Sequence, residues 1–69
     1  MDREIVQILY NPERDRLTFL DEDIHCGDSL EVLLADETWQ AVSFEYSYHW
    51  YIPQLKKVLP VGLWARKIK

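Results

Sequence analysis

The chain has 69 residues, 48% of them apolar and nine of them aromatic, and a net charge of −4 with a single cysteine. That size predicts one domain spanning 1–69 and excludes a large enzyme with a deep pocket. The lone Cys26 excludes a disulfide scaffold, and no apolar run approaches the roughly 20 residues of a membrane-spanning helix. A chain this short hides only about 60% of the surface its unfolded form exposes, so a stability of about 3–5 kcal/mol is expected.

The charge is unevenly placed. Residues 1–45 carry all twelve acids and only Arg3, Arg14 and Arg16, a net −9. Residues 46–69 carry no acid and five bases, a net +5. The start, Met1-Asp2-Arg3-Glu4, lacks the basic and apolar pattern of a secretory leader. With the single cysteine, this predicts a cytoplasmic protein.

In chain order, Glu4 to Tyr10 reads as a strand with Val6, Ile8 and Tyr10 on one face. Asn11-Pro12-Glu13-Arg14-Asp15 is a turn, since proline presets φ and Asn and Asp close local hydrogen bonds. Arg16 to Leu20 returns with Leu17 and Phe19 inward. Asp21-Glu22-Asp23 reads as a solvated acidic loop, because the spacing of a calcium-binding loop is missing. His25 and Cys26 lead into a Gly27-Asp28 turn, where glycine supplies positive φ.

Leu30, Val32 and Leu34 then alternate, the period-two mark of a strand with one face in a core. Ala35 to Thr38 makes a hairpin loop. Trp39 to Tyr46 comes back with Val42, Phe44 and Tyr46 on one face. Trp50-Tyr51-Ile52 is a further strand stopped by Pro53, and 54–59 reads as one helical turn through Leu55, Val58 and Leu59. Pro60-Val61-Gly62 turns the chain into a last strand, Leu63 to Ile68. That strand offers two inward faces, Leu63/Ala65 or Trp64/Ile68. The expected fold is all-β, a five- to six-stranded small barrel, since closure removes exposed edges.

His25-Cys26-Gly27-Asp28, Leu30-Glu31-Val32, Trp39, Phe44-Glu45, Trp50-Tyr51-Ile52, Leu59, Gly62-Leu63 and Arg66 follow one another in a recognisable order. This pattern resembles a family of small uncharacterised bacterial proteins, a domain of unknown function, over residues 14 to 68. The resemblance implies an SH3-like barrel and a setting among phage- and plasmid-derived genes. It implies no activity.

The chemistry-bearing residues point away from catalysis. His25 and Cys26 are adjacent, and neighbours in an extended segment face opposite ways, so they form no thiol–imidazole dyad. Cys26 is expected to be buried as a small apolar side chain, with the His25 ring tied to a carbonyl or carboxylate. His25, Cys26, Asp28 and His49 lack the paired short spacing of structural zinc ligands. No enzyme, metal or cofactor is expected.

The remaining signal is aromatic. Tyr46, Tyr48, His49, Trp50 and Tyr51 are followed by Lys56 and Lys57, then by Trp64 and Arg66. Rings among bases suit an extended peptide or a single nucleic-acid strand. The expected function is a non-catalytic module that binds a protein or peptide through Tyr48, Tyr51 and Trp64, with Lys56, Lys57 and Arg66 beside them. One alternative is an acidic inhibitor of a nucleic-acid enzyme, presenting Asp21, Glu22, Asp23, Asp36 and Glu37. A second is direct binding of single-stranded nucleic acid by the C-terminal third.

Overall fold

A computed structural model describes residues 4–68. Among these residues nine short strands form and no helix does. They are β1 (Val6–Gln7), β2 (Leu9–Asn11), β3 (Arg16–Phe19), β4 (Glu22–Asp23), β5 (Ser29–Leu33), β6 (Trp39–Ser43), β7 (Glu45–Ser47), β8 (His49–Tyr51) and β9 (Trp64–Arg66). All pairings are antiparallel. The sheets run β1-β9-β5-β6, β2-β3-β4 and β7-β8. The result is a small all-β, barrel-like fold of the expected class.

The strands are more numerous than expected because two predicted strands bend and the acidic segment contributes β4. The first breaks at Ile8. Its N–H donates to the Leu63 carbonyl at 2.8 Å, and its own carbonyl accepts from Gly62 at 2.7 Å. Ile8 is therefore a fully buried corner between β1, which pairs with β9, and β2, which pairs with β3. Past that corner Tyr10 turns outward, contrary to the face expected for it. The second break is at Phe44, between β6 and β7. Its N–H bonds the Asp28 carbonyl at 2.9 Å, and its carbonyl accepts from Gly27 at 2.8 Å. Phe44 stays fully buried, whereas Tyr46 beyond it is exposed.

The Gly27-Asp28 turn forms as read. Gly27 sits at φ 90°, and Asp28 accepts the His25 N–H on Oδ2 at 2.8 Å. Leu30 and Val32 then enter the core beside Leu17, Phe19, Ile24, Val42, Trp50, Ile52 and Ala65. Leu34 packs against it partly buried. The last strand settles its face: Ala65 is fully buried between Val6 and Val32, and Trp64 and Ile68 are exposed.

Three further expectations are corrected. Residues 54–59 form no helical turn. Leu55 N–H bonds Ile52 O and Val58 N–H bonds Leu55 O, both at 3.0 Å, as two successive turns, the first containing Pro53 and the second ending before Pro60. The acidic loop is instead the end of a hairpin, with Phe19 paired to Glu22 and Thr18 to Asp23. Leu20 and Asp21 form its two-residue tip at φ 53° and 63°, the left-handed pair that a tight hairpin demands. Cys26 is exposed rather than buried, because the turn lifts it off the sheet before β5 begins.

Candidate functional site

The β7–β8 hairpin pairs Glu45 with Tyr51, Tyr46 with Trp50 and Ser47 with His49. Trp50 and Ile52 point into the core. Alternation therefore puts His49, Tyr51 and Pro53 on the opposite side of the same segment. There they line an open groove with Ser47 and Lys56. The His49 and Tyr51 rings meet edge to face, 6.1 Å apart at 69°. His49 Nδ1 also lies 3.1 Å from the Trp50 carbonyl oxygen, which steadies the ring against the strand. Tyr48 stands at the hairpin tip, 97% exposed and at φ 65°.

The six basic and aromatic residues expected to act together divide between two places. Tyr51 and Lys56 line the groove, Tyr48 is at the tip of its hairpin, and Lys57 is exposed on the turn next to Lys56. Trp64 and Arg66 belong to β9 in a different sheet. Arg66 Nε donates to Glu31 Oε1 at 2.7 Å, and its guanidinium lies 4.0 Å over the Trp39 ring. Arg66 is thus engaged within the fold. The β5–β9 register places Leu33 one rung beyond Val32–Ala65, opposite Trp64, and Leu33 pairs in turn with Trp39. That row lies on the outer face of the sheet.

Pro53 is a groove residue outside the expected aromatic run, and His49, part of that run, joins the binding wall although it was not among the expected binding residues. Stepping by two from Tyr51 in each direction finds both.

A second cleft lies between the β2–β3 turn and the β7–β8 hairpin, lined by Arg14, Asp15, Arg16, Cys26, Tyr46 and Trp50. Asp15 ties these hairpins together. It accepts from Tyr10 Oη on Oδ1 and from Tyr46 Oη on Oδ2, and its backbone carbonyl accepts from Trp50 Nε1 at 3.1 Å. Hydrogen bonding to the Asp15 carboxylate raises the pKa of both tyrosines, because the neutral phenol is the donor.

The acids read as an alternative surface fall on two hairpins. Asp21, Glu22 and Asp23 lie at β3–β4, and Asp36 and Glu37 in the β5–β6 loop. Asp23 accepts from Arg14 at 2.7 Å, which lowers its pKa. Asp36 accepts from the Thr38 hydroxyl at 2.6 Å and from the Thr38 N–H at 3.2 Å, and is lowered in the same way. Both carboxylates are part of local structure. Among the described residues no group of three His, Cys, Asp or Glu side chains converges as a metal site. No helix there is long and apolar enough to cross a membrane.

No curated protein matches the chain. A solved structure is similar, the crystal structure of a protein from Ruminococcus gnavus, Northeast Structural Genomics Consortium target UgR76. It shares 26% sequence identity, covers 91% of this chain and 99% of its own, and superposes with a TM-score of 0.75. The sequence also matches the family described as a domain of unknown function, DUF5348, over residues 6–67. With its all-β fold and nearly its whole length accounted for, the chain belongs to that family.

Proposed function

We propose that the protein is a non-catalytic binding module whose β7–β8 groove takes an extended peptide segment carrying a carboxylate. The observation that carries this reading is the groove wall: the Tyr51 and His49 rings, Pro53, and the ammonium of Lys56. Flat rings grip extended backbone, and a lysine at one end selects an anion. Residues 46–69 contain no acidic side chain, and the acid nearest in register is Glu45, the cross-strand partner of Tyr51. Tyr48 at the tip extends the apolar surface. A cytoplasmic module of a phage- or plasmid-derived element fits the same reading, with Cys26 a free thiol.

An array of synthetic acidic and neutral twelve-residue peptides tests it. Acidic peptides are expected to bind. Lys56→Glu and Tyr51→Ala are each expected to weaken the best binder at least tenfold, with circular dichroism unchanged. Full binding by a folded Tyr51→Ala variant removes the groove. Lys56→Glu, on an exposed side chain, keeps the test valid should Tyr51→Ala fail to fold. Tighter binding to a single-stranded oligonucleotide at low salt, lost as salt rises, would replace the peptide by nucleic acid.

A further inference from the structure

In an antiparallel ladder, alternate residues direct their N–H and C=O groups to opposite sides of the strand. On the β5 side of β6, Leu34 N–H bonds Thr38 O at 2.8 Å, and Phe44 N–H bonds Asp28 O at 2.9 Å. Residues of the same parity, Gln40 and Val42, therefore face β5. Trp39, Ala41 and Ser43 face away from it. β6 is the last strand of its sheet, so that side is an edge.

One rung of this edge is filled by a side chain. Ser43 N–H donates to Gln54 Oε1 at 3.1 Å, and Gln54 Nε2 donates to Ser43 Oγ at 3.1 Å. The carboxamide oxygen takes the Ser43 N–H as a neighbouring strand's carbonyl would, and its nitrogen is anchored on the Ser43 hydroxyl rather than on the backbone carbonyl. The reason no real strand stands there is local. The β7–β8 register, Glu45 to Tyr51, would next set Pro53 against Ser43. Proline has no N–H to give. The chain turns away there, with Leu55 N–H bonded to Ile52 O at 3.0 Å. Among the described residues, nothing bonds the outward backbone groups of Trp39 or Ala41.

We infer that this free edge of β6 takes an extended segment of a partner protein as an added antiparallel strand, in line with β8 and beyond Gln54. The edge lacks the usual protections. Trp39-Gln40-Ala41-Val42-Ser43 holds no charge, proline or glycine. By contrast, β1 and β4 are two residues each, and both residues of β4 are acidic. A second copy of this chain fits less well. A two-fold pairing centred on Ala41 needs the Ser43 N–H, which Gln54 already holds. A partner segment needs only Trp39 and Ala41. Lys56 and Lys57 follow Gln54 in the turn, so the segment is uncharged against β6 and acidic at its flank. It shares the extended-peptide chemistry of the Tyr51 groove but uses different atoms, so the two sites fail separately.

The probe is the synthetic peptide acetyl-Asp-Thr-Val-Thr-Val-Thr-amide, followed by amide hydrogen exchange on the full chain. In dilute free protein the Trp39 and Ala41 amides are expected to exchange as exposed groups. At millimolar peptide both are expected to slow at least tenfold, with Gln40 and Val42 unchanged. Ala41→Pro removes only an outward N–H, a position where an edge strand accepts proline. It is expected to keep the fold and lose peptide binding at least tenfold. Should it fail to fold, a peptide N-methylated opposite Ala41 is expected to show the same loss. Any of four results overturns the inference: full protection of Trp39 and Ala41 without peptide, none at millimolar peptide, unchanged binding by folded Ala41→Pro, or unchanged binding of the N-methylated peptide. Protection that appears without peptide and grows with protein concentration assigns the edge to a second copy and also overturns it. Binding sensitive to Tyr51→Ala but not to Ala41→Pro removes the edge and leaves the groove.

Discussion

Tyr46 donates its hydroxyl to Asp15 across 3.1 Å, although 31 positions separate them in sequence. This bond and the Trp50 Nε1 bond to the Asp15 carbonyl hold the β2–β3 turn against the β7–β8 hairpin, while Tyr10 braces the other carboxylate oxygen from within its own hairpin. Both phenols titrate above their ordinary value while Asp15 is charged and accepting. A raised folded pKa stabilises below the unfolded value and loses that effect as pH rises through the folded one. Stability is therefore expected to fall as pH climbs past about 10, the ordinary tyrosine range. Asp15→Asn keeps the left-handed turn, which Asn tolerates, and removes the charge. It is expected to bring both tyrosines down toward ordinary titration, read by ultraviolet difference absorbance. Unchanged titration would separate the shift from Asp15.

Acid acts through other carboxylates. Arg14 lowers the Asp23 pKa, and the Thr38 hydroxyl lowers that of Asp36. A lowered folded pKa stabilises above the unfolded value, and the effect disappears as pH falls through the folded one. The melting temperature is expected to drop below about pH 4, where free aspartates protonate. The drop should shrink in the Asp23→Asn, Asp36→Asn double variant, measured by thermal melts across pH.

The β3–β4 tip is built from poor residues for its geometry. Leu20 and Asp21 both hold positive φ, which costs Leu20 about 1–2 kcal/mol and Asp21 less, since Asp enters this region more readily. Asn-Gly is the preferred pair for this turn. Leu20→Asn with Asp21→Gly is expected to stabilise by about 1 kcal/mol and raise the melting temperature by roughly 4–8 °C. A lower melting temperature would show that the exposed Leu20 side chain contributes more than its backbone costs.

Phe44 is fully buried and is the bend that joins two sheets. Removing such a ring costs about 3–5 kcal/mol, as much as a domain of this size usually has. Phe44→Ala is expected to be largely unfolded by circular dichroism at room temperature.

Arg66 joins β9 to β5 through Glu31 and stacks on Trp39. Lysine keeps the charge but loses the planar contact. Arg66→Lys is expected to cost about 1 kcal/mol and to change Trp39 fluorescence. Groove binding should be untouched, because Arg66 lies on a different sheet.

How far the residues announced this protein differs from one feature to another. Alternation at Leu17/Phe19, Leu30/Val32 and Val42/Phe44 is written in neighbouring residues, and so are the turns at Asn11-Pro12 and Gly27-Asp28. These local preferences suffice for an all-β chain with that core. Tyr51 and Lys56 were legible as candidates for the same reason, being rings and bases in an acid-free stretch.

What no neighbouring residue could decide is which element each strand meets. Alternation marks two faces without saying which is wet, so Trp64 and Trp50 look alike until β9 slots between β1 and β5. The bends at Ile8 and Phe44 arise because the chain passes from one sheet to another, and partners distant in sequence hold them. Arg66 is spoken for by Glu31 and Trp39, both far from it along the chain. The open edge of β6 exists because β8 turns off at Pro53. Period and turn chemistry are short-range, whereas pairing partners are set only when the closed sheet brings distant segments together.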